Sequence, residues 1–313
     1  MRKIAFVFPG QGSQYVGMGR DFHERYPLAR ASFEKAEEVL GFSIRQVCFE
    51  GPEETLRMTA NTQPALLVCS FIAFRLLEEA GIQPDFVAGH SLGEYSALLA
   101  SGSIDFSDAV ALVRKRGEWM QEAVPLGKGA MAAILGMERE AVFRVCEEAR
   151  DGQVVEVANL NAPGQIVISG EAEAVGRAVG IARGQGAKKA ILLPVSAPFH
   201  CRLMRPAGER LGEVLAKLRW KDPRVPLVTN VDAQLASSAV QLRSALLRQA
   251  TSPVLWEDSI RRLQEEGVNV FVEVGPGKVL SGLIKRIVQE ATLHHAEDEE
   301  SLRSTIEILG GGA

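Results

Sequence analysis

Phe86-Val87-Ala88-Gly89-His90-Ser91-Leu92-Gly93-Glu94 is an apolar run that breaks at a glycine and passes into Tyr95-Ser96-Ala97-Leu98-Leu99-Ala100, a helical pattern. Residues 89–93 spell G-x-S-x-G, and the flanks supply the strand before and the helix after that this motif requires. Such a turn has no room for a Cβ at its two glycines, and glycine accepts backbone angles that other residues reach only at a cost. The turn would lift Ser91 Oγ to the carboxyl end of a strand and aim the first free N–H groups of the helix at the same spot. A nucleophile and half an oxyanion hole would then come from one turn. The plain alternative is a Gly-Ser-Gly turn that only joins a strand to a helix.

Working outward, residues 4–8 (Ile-Ala-Phe-Val-Phe) read as a buried strand that ends in Pro9-Gly10-Gln11-Gly12-Ser13-Gln14, a loop of bare backbone N–H groups. It lacks the Lys-Ser/Thr of a phosphate-binding P-loop and the spacing of G-x-G-x-x-G, which argues against a nucleotide site. A helix is expected over 28–40. Another should start after Thr62-Gln63 with Pro64 as its first helical residue. A further helix over 106–123 is expected to be capped by Asp105 and Asp108. Its apolar stripe, Ala109, Val113, Met120 and Ala123, has Arg116 at the missing position. A guanidinium on an apolar face is costly unless an anion meets it. A buried carboxylate, a route to the surface and an anionic ligand are all open on spacing alone.

After the linker-like Val124-Pro125-Leu126-Gly127-Lys128-Gly129 the rhythm changes. Strands at 131–135, 154–160, 165–169 and 189–195, with helices at 138–150 and 171–183, give the order βαββαβ of a ferredoxin-like unit. The predicted fold is therefore α/β: a large α/β-hydrolase-like domain with a parallel sheet, residues 1–126 and 197–313, carrying an inserted ferredoxin-like subdomain, residues 127–196. The chain returns through Ser196-Ala197-Pro198-Phe199-His200-Cys201-Arg202 to a helix over 203–218. Then come a strand at 225–228, helices at 240–248 and 254–266, and a strand at 269–274. Gly275-Pro276-Gly277 leads into a helix from 278, and the polar tail after Ala291 should be loosely held until a short helix at 301–309.

Composition bounds the rest. The 313 residues are 46% hydrophobic and 24% charged, enough for a sizeable core. A net charge of −4 gives no pointer to nucleic acid or an anionic membrane. No uninterrupted apolar run approaches the roughly 18 residues of a membrane span, and the start of the chain reads as a strand ended by Pro9 rather than a signal peptide. Cys48, Cys69, Cys146 and Cys201 are scattered, which suits a reducing cytoplasm and argues against a disulfide framework or a metal site.

A serine hydroxyl needs a base. Of the five histidines, His23 sits among charges, His294 and His295 lie in the tail, and His90 should point away from its neighbour Ser91. His200, in an apolar segment, remains, with a core histidine as the bland alternative. No Asp stands ready as third member of a triad, so a backbone carbonyl could orient the ring.

Taken together, Phe8-Pro9-Gly10-Gln11-Gly12-Ser13-Gln14, Thr62-Gln63-Pro64-Ala65, Gly89-His90-Ser91-Leu92-Gly93-Glu94, Arg116-Gly117, Asn159-Leu160-Asn161-Ala162-Pro163-Gly164-Gln165, Pro198-Phe199-His200-Cys201 and Val274-Gly275-Pro276-Gly277 resemble the malonyl-CoA:acyl carrier protein transacylases of bacterial fatty-acid synthesis over essentially the whole chain. The resemblance implies malonyl transfer from malonyl-CoA to the pantetheine thiol of acyl carrier protein, in the cytoplasm, with no permanently bound cofactor. It implies Ser91 as nucleophile, His200 as base, the Gln249 main-chain carbonyl as orienter, and the N–H groups of Gln11 and Leu92 as oxyanion hole. Arg116 would grip the malonyl carboxylate, with Gln63, Phe199 and Asn161 lining the pocket. Lys188, Lys189, Arg205, Lys285 and Arg286 are candidates to meet the acidic carrier. The rivals are a polyketide acyltransferase with the same chemistry, a serine thioesterase or hydrolase, and a non-catalytic binding module.

Overall fold

The computed structural model describes residues 2–195 and 197–310; Ser196, at the expected subdomain boundary, and the last residues of the expected large domain, 311–313, lie outside them. Among the described residues, ten strands fall into two sheets. In chain order they are β1 (Ile4–Phe8), β2 (Phe86–Gly89), β3 (Gly129–Leu135), β4 (Val155–Ala162), β5 (Gln165–Glu171), β6 (Lys189–Leu192), β7 (Leu227–Val228), β8 (Leu235–Ala236), β9 (Val270–Val274) and β10 (Thr292–Ala296).

The large sheet has the order β10-β9-β1-β2-β7-β8 and is parallel except for β8. Both of its faces are covered, as a parallel sheet requires. Phe6 and Phe8 face a helical layer that includes Leu66, Phe74 and Leu98. Ala5 and Val7 face the other way, toward Trp256, Ile260 and Ile284, as the period-2 alternation of a strand dictates. The register pairs Phe8 with Gly89. The loop after β1 and the turn after β2 therefore leave the sheet side by side at its carboxyl end, where open α/β sheets bind ligands.

The small sheet is antiparallel with the order β4-β5-β3-β6. Helices Arg139–Ala149 and Ala172–Gly184 bury Val142, Val145, Val175 and Val179 against it. The two sheets are tied by main chain: Leu160 N donates to Val254 O and Val254 N to Ala158 O, each at 2.9 Å.

Several elements depart from expectation for identifiable reasons. Pro64 lies inside the helix Thr59–Glu79, not at its first residue. A proline cannot bond the carbonyl four residues back. Here that carbonyl, Ala60 O, accepts from Arg114 Nη1 at 3.0 Å instead, so the helix continues through the proline. That helix has the length and mean hydropathy, 1.3, of a membrane span, but 78% of its apolar window is buried inside the protein. Asp105 precedes the helix Phe106–Glu122 without capping it; its carboxylate takes Lys221 Nζ at 2.7 Å. The tail is not loose. Residues 292–296 form β10, parallel to β9, and the helix Glu299–Gly310 returns over it, with Thr305 Oγ1 donating to His295 O at 2.8 Å. The strand expected over 189–195 stops at Leu192, and the two-residue β8 had no signal in the sequence.

Candidate active site

The glycines of the elbow are required by close approach. A Cβ on Gly93 would stand 2.0 Å from Phe8 O, and one on Gly89 2.0 Å from the Gly93 carbonyl. The unusual backbone angle belongs to Ser91 itself, with φ 53°. That is a left-handed conformation costly for a non-glycine residue and often found at functional sites. It is held from three sides. Ser91 N donates to Asn230 Oδ1 at 2.7 Å, Gln249 Nε2 donates to Ser91 O at 2.8 Å, and Asn230 Nδ2 donates to Gly89 O at 2.6 Å.

Ser91 Oγ lies 2.7 Å from His200 Nε2. His200 Nδ1 is 3.0 Å from Gln249 O, a group that can only accept. The proton therefore sits on Nδ1, and Nε2 presents its lone pair to the serine hydroxyl. His200 also has positive φ, 60°. Burial, and then the Arg116 charge, push its pKa down to about 3, so the ring is neutral and able to receive a proton.

Arg116 is 2% exposed. Nη1 donates to Gln63 Oε1 at 2.9 Å; Nη2 donates to Ser91 Oγ at 3.1 Å and to Gln249 Oε1 at 3.0 Å. Its Cζ stands 5.1 Å from the centre of the Tyr95 ring, a favourable seat for a cation. Yet its Nε has no partner, and among the described residues no carboxylate pairs with it within ion-pair distance. A desolvated guanidinium surrounded by neutral acceptors is a receptor for an anion.

These groups open on a cavity of about 210 Å³ lined by Gln11, Gln63, Ser91, Leu92, Arg116, Asn161, Phe199 and His200, with Met120, Val167 and Leu283 among its apolar walls. Among the described residues, neither Gln11 N nor Leu92 N has a hydrogen-bond acceptor, leaving two donors beside Ser91. The side chain of Gln11 is held by Thr59 Oγ1 at 3.3 Å.

The structure thus brings every predicted site residue to one place. It corrects one expectation: His90 does not turn away. It lines the same cavity, donates from Nε2 to Asn161 Oδ1 at 2.8 Å, and meets the Trp256 ring edge-on. It makes no bond to Ser91. Sequence reading missed Asn230, which follows a two-residue strand and carries no motif. It also missed the side chain of Gln249 and the carboxylate of Glu94. Among the described residues no group of His, Cys, Asp or Glu is placed to hold a metal.

A parallel α/β sheet with a strained serine elbow, a carbonyl-oriented histidine and two free N–H donors defines a serine acyl-transfer protein, and the chain belongs to the acyl transferase domain family, which matches residues 5–305. More particularly, it is 50% identical over 310 residues to the malonyl CoA-acyl carrier protein transacylase of Bacillus subtilis, covering 99% of this chain and 98% of that one. The enzyme of the same name from Escherichia coli is 47% identical, over 98% and 100%. Among solved structures, the malonyl CoA-acyl carrier protein transacylase of Coxiella burnetii superposes with a TM-score of 0.96 at 44% identity, over 98% of each chain. A malonyl-transacylase in complex with a type II polyketide acyl-carrier protein superposes with a TM-score of 0.96 at 46% identity, over 98% and 99%.

Proposed function

We propose that this protein transfers the malonyl group of malonyl-CoA to the pantetheine thiol of acyl carrier protein through a malonyl-Ser91 intermediate, supplying fatty-acid synthesis. The observation that carries the reading is Arg116, a buried cation 3.1 Å from the nucleophile with no carboxylate of its own among the described residues. A malonyl group on Ser91 Oγ places its free carboxylate two carbon–carbon bonds from the acyl carbon, within the reach of that guanidinium.

In the first half-reaction Ser91 Oγ attacks the thioester carbonyl while His200 Nε2 takes the hydroxyl proton. The oxyanion is held by Gln11 N and Leu92 N, each donor worth about 3 kcal/mol in comparable sites. The C–S bond breaks, the coenzyme A thiolate leaves with the proton from His200, and the malonyl ester remains. The carrier thiol then attacks the ester, giving its proton to His200, and Ser91 recovers a proton as it leaves. Two half-reactions through one covalent intermediate give ping-pong kinetics. Arg116 sets selectivity, because an uncharged acetyl group leaves the buried guanidinium without its anion.

Of the candidate cations, Arg286 bonds Gln165, a residue of the cavity lining, and Pro163 O. A polyketide carrier is the second reading, favoured by the relative solved with such a partner; the chemistry at Ser91 is the same.

Intact-protein mass spectrometry after exposure to malonyl-CoA tests the proposal. The expected result is one malonyl adduct on Ser91 that persists without carrier, clears when carrier is added and is absent from Ser91→Ala. An adduct lost quickly to water would favour a hydrolase, and no adduct on the wild type would overturn the reading.

A further inference from the structure

The hydrogen bonds beneath the serine elbow converge on a group outside the reaction, the carboxylate of Glu94. It lies three residues after Ser91, in the first turn of the helix Gly93–Ala100, and is 2% exposed. Oε2 accepts from Gln249 Nε2 at 2.6 Å, and Oε1 accepts from Asn230 N at 3.3 Å. We propose that Glu94 is a positioning residue that anchors the Gln249 side-chain amide and, through it, the placement of Arg116 and Ser91; this deepens, and rests on, the acyl-transfer reading given above.

The argument is one of hydrogen-bond polarity. A primary amide has two donors at one end and an acceptor at the other. Gln249 Nε2 spends its donors on Glu94 Oε2 and on Ser91 O. That leaves Oε1 facing Arg116 Nη2 at 3.0 Å. The reverse orientation would set the amide oxygen against a carboxylate and the Ser91 carbonyl and its NH₂ against a guanidinium, three repulsive contacts in a dry site. Ser91 O and Arg116 oppose that flip as well, and Glu94 Oε2, at 2.6 Å the shortest of the three bonds, anchors the amide in its seat. A neutral amide at position 94 could turn its own donors toward Gln249 Nε2, and the anchor of the Gln249 side chain would be lost. Once loosened, Gln249 would hold both Arg116 and Ser91 O less firmly. The same residue's main-chain carbonyl orients His200, so Gln249 touches serine, histidine and arginine at once. Asn230 completes the arrangement, since its N–H meets Glu94 while its side chain holds Ser91 N and Gly89 O.

A double-mutant cycle with Glu94→Gln and Gln249→Ala tests this. Glu94→Gln keeps size and removes charge; Gln249→Ala keeps the carbonyl that orients His200. The cycle is read first on kcat/KM for malonyl-CoA. It is read again on the rate at which a neutral fluorophosphonate labels Ser91, displacing fluoride, which needs no malonyl group. Each single variant should lower both rates about tenfold. The double variant should fall within about threefold of Gln249→Ala, because residues acting through one another are non-additive. Effects that multiply, or a Glu94→Gln protein as reactive as the wild type, would overturn the proposal. If the wild type carries out no malonyl transfer but the labelling cycle is non-additive, the functional reading fails and the relay stands. Should Glu94→Gln not fold, Glu94→Ala carries the same cycle.

Discussion

At the scale of the residue, two buried ionisable groups determine how this site behaves. Arg116 has neutral acceptors around it and, among the described residues, no carboxylate bonded to it. Arg116→Ala should lower kcat/KM for malonyl-CoA at least about a hundredfold, the order expected when a buried charge loses its partner, while transfer of acetyl groups is retained or gained. Equal loss of both would make the arginine structural. Glu94 is the other. Burial raises its pKa from 4.5 to about 7. Between these values the folded protein holds a proton that the unfolded chain has released, so stability falls as pH rises through the window. Glu94→Gln removes that dependence. Its unfolding free energy, relative to wild type, should therefore increase by about 3 kcal/mol from pH 4.5 to pH 7. Urea midpoints at the two pH values measure this, and the opposing titration of His200 is common to both proteins. Parallel pH profiles would show that the carboxyl is not held up by its surroundings.

At the scale of the element, the elbow depends on two strands of one sheet. Glycine 93 is needed because β1 passes so near that Phe8 O occupies the space of a side chain. Gly93→Ala should destabilise the fold by about 3 kcal/mol, the cost of overpacking a rigid site, read as a lower urea midpoint with an unchanged slope. An alanine tolerated without loss would mean that β1 can move aside. The strand-turn-helix and its serine were legible because they are local and carry fixed spacing. The helix Thr59–Glu79 was misjudged at its start because Arg114, about fifty positions away, takes up the carbonyl that Pro64 abandons. β10 was invisible because its partner is the edge of β9 rather than anything in its own sequence.

At the scale of the whole molecule, the cavity lies where two sheets meet. Val254 bonds the small sheet through Ala158 and Leu160, and Leu255 N bonds Asn230 O beneath the elbow at 2.9 Å. A second link is the pair Arg139–Asp258, whose side chains are 34% and 32% exposed. The buried main-chain bond should matter more. Val254→Pro removes a donor to Ala158 O and should cost about 1–3 kcal/mol, together with activity. Arg139→Ala should cost less than about 1 kcal/mol, as half-exposed ion pairs do. Thermal melts of the two variants compare them directly; equal losses would show that the ion pair is an equal partner in joining the sheets.

The sequence by itself determined the α/β character, the elbow, the candidate serine and the βαββαβ order of residues 129–192, because each is written in local spacing, glycine positions and hydrophobic period. It also reduced five histidines to one. Tertiary structure alone decided that the imidazole of residue 200 meets the hydroxyl of residue 91, that His90 faces the cavity, and that Glu94, Asn230 and Gln249 form a single hydrogen-bonded support. Those contacts join segments more than a hundred residues apart or depend on which way a side chain turns. Burial, which converts an ordinary arginine, glutamate and histidine into a site, exists only once the sheets have closed around them.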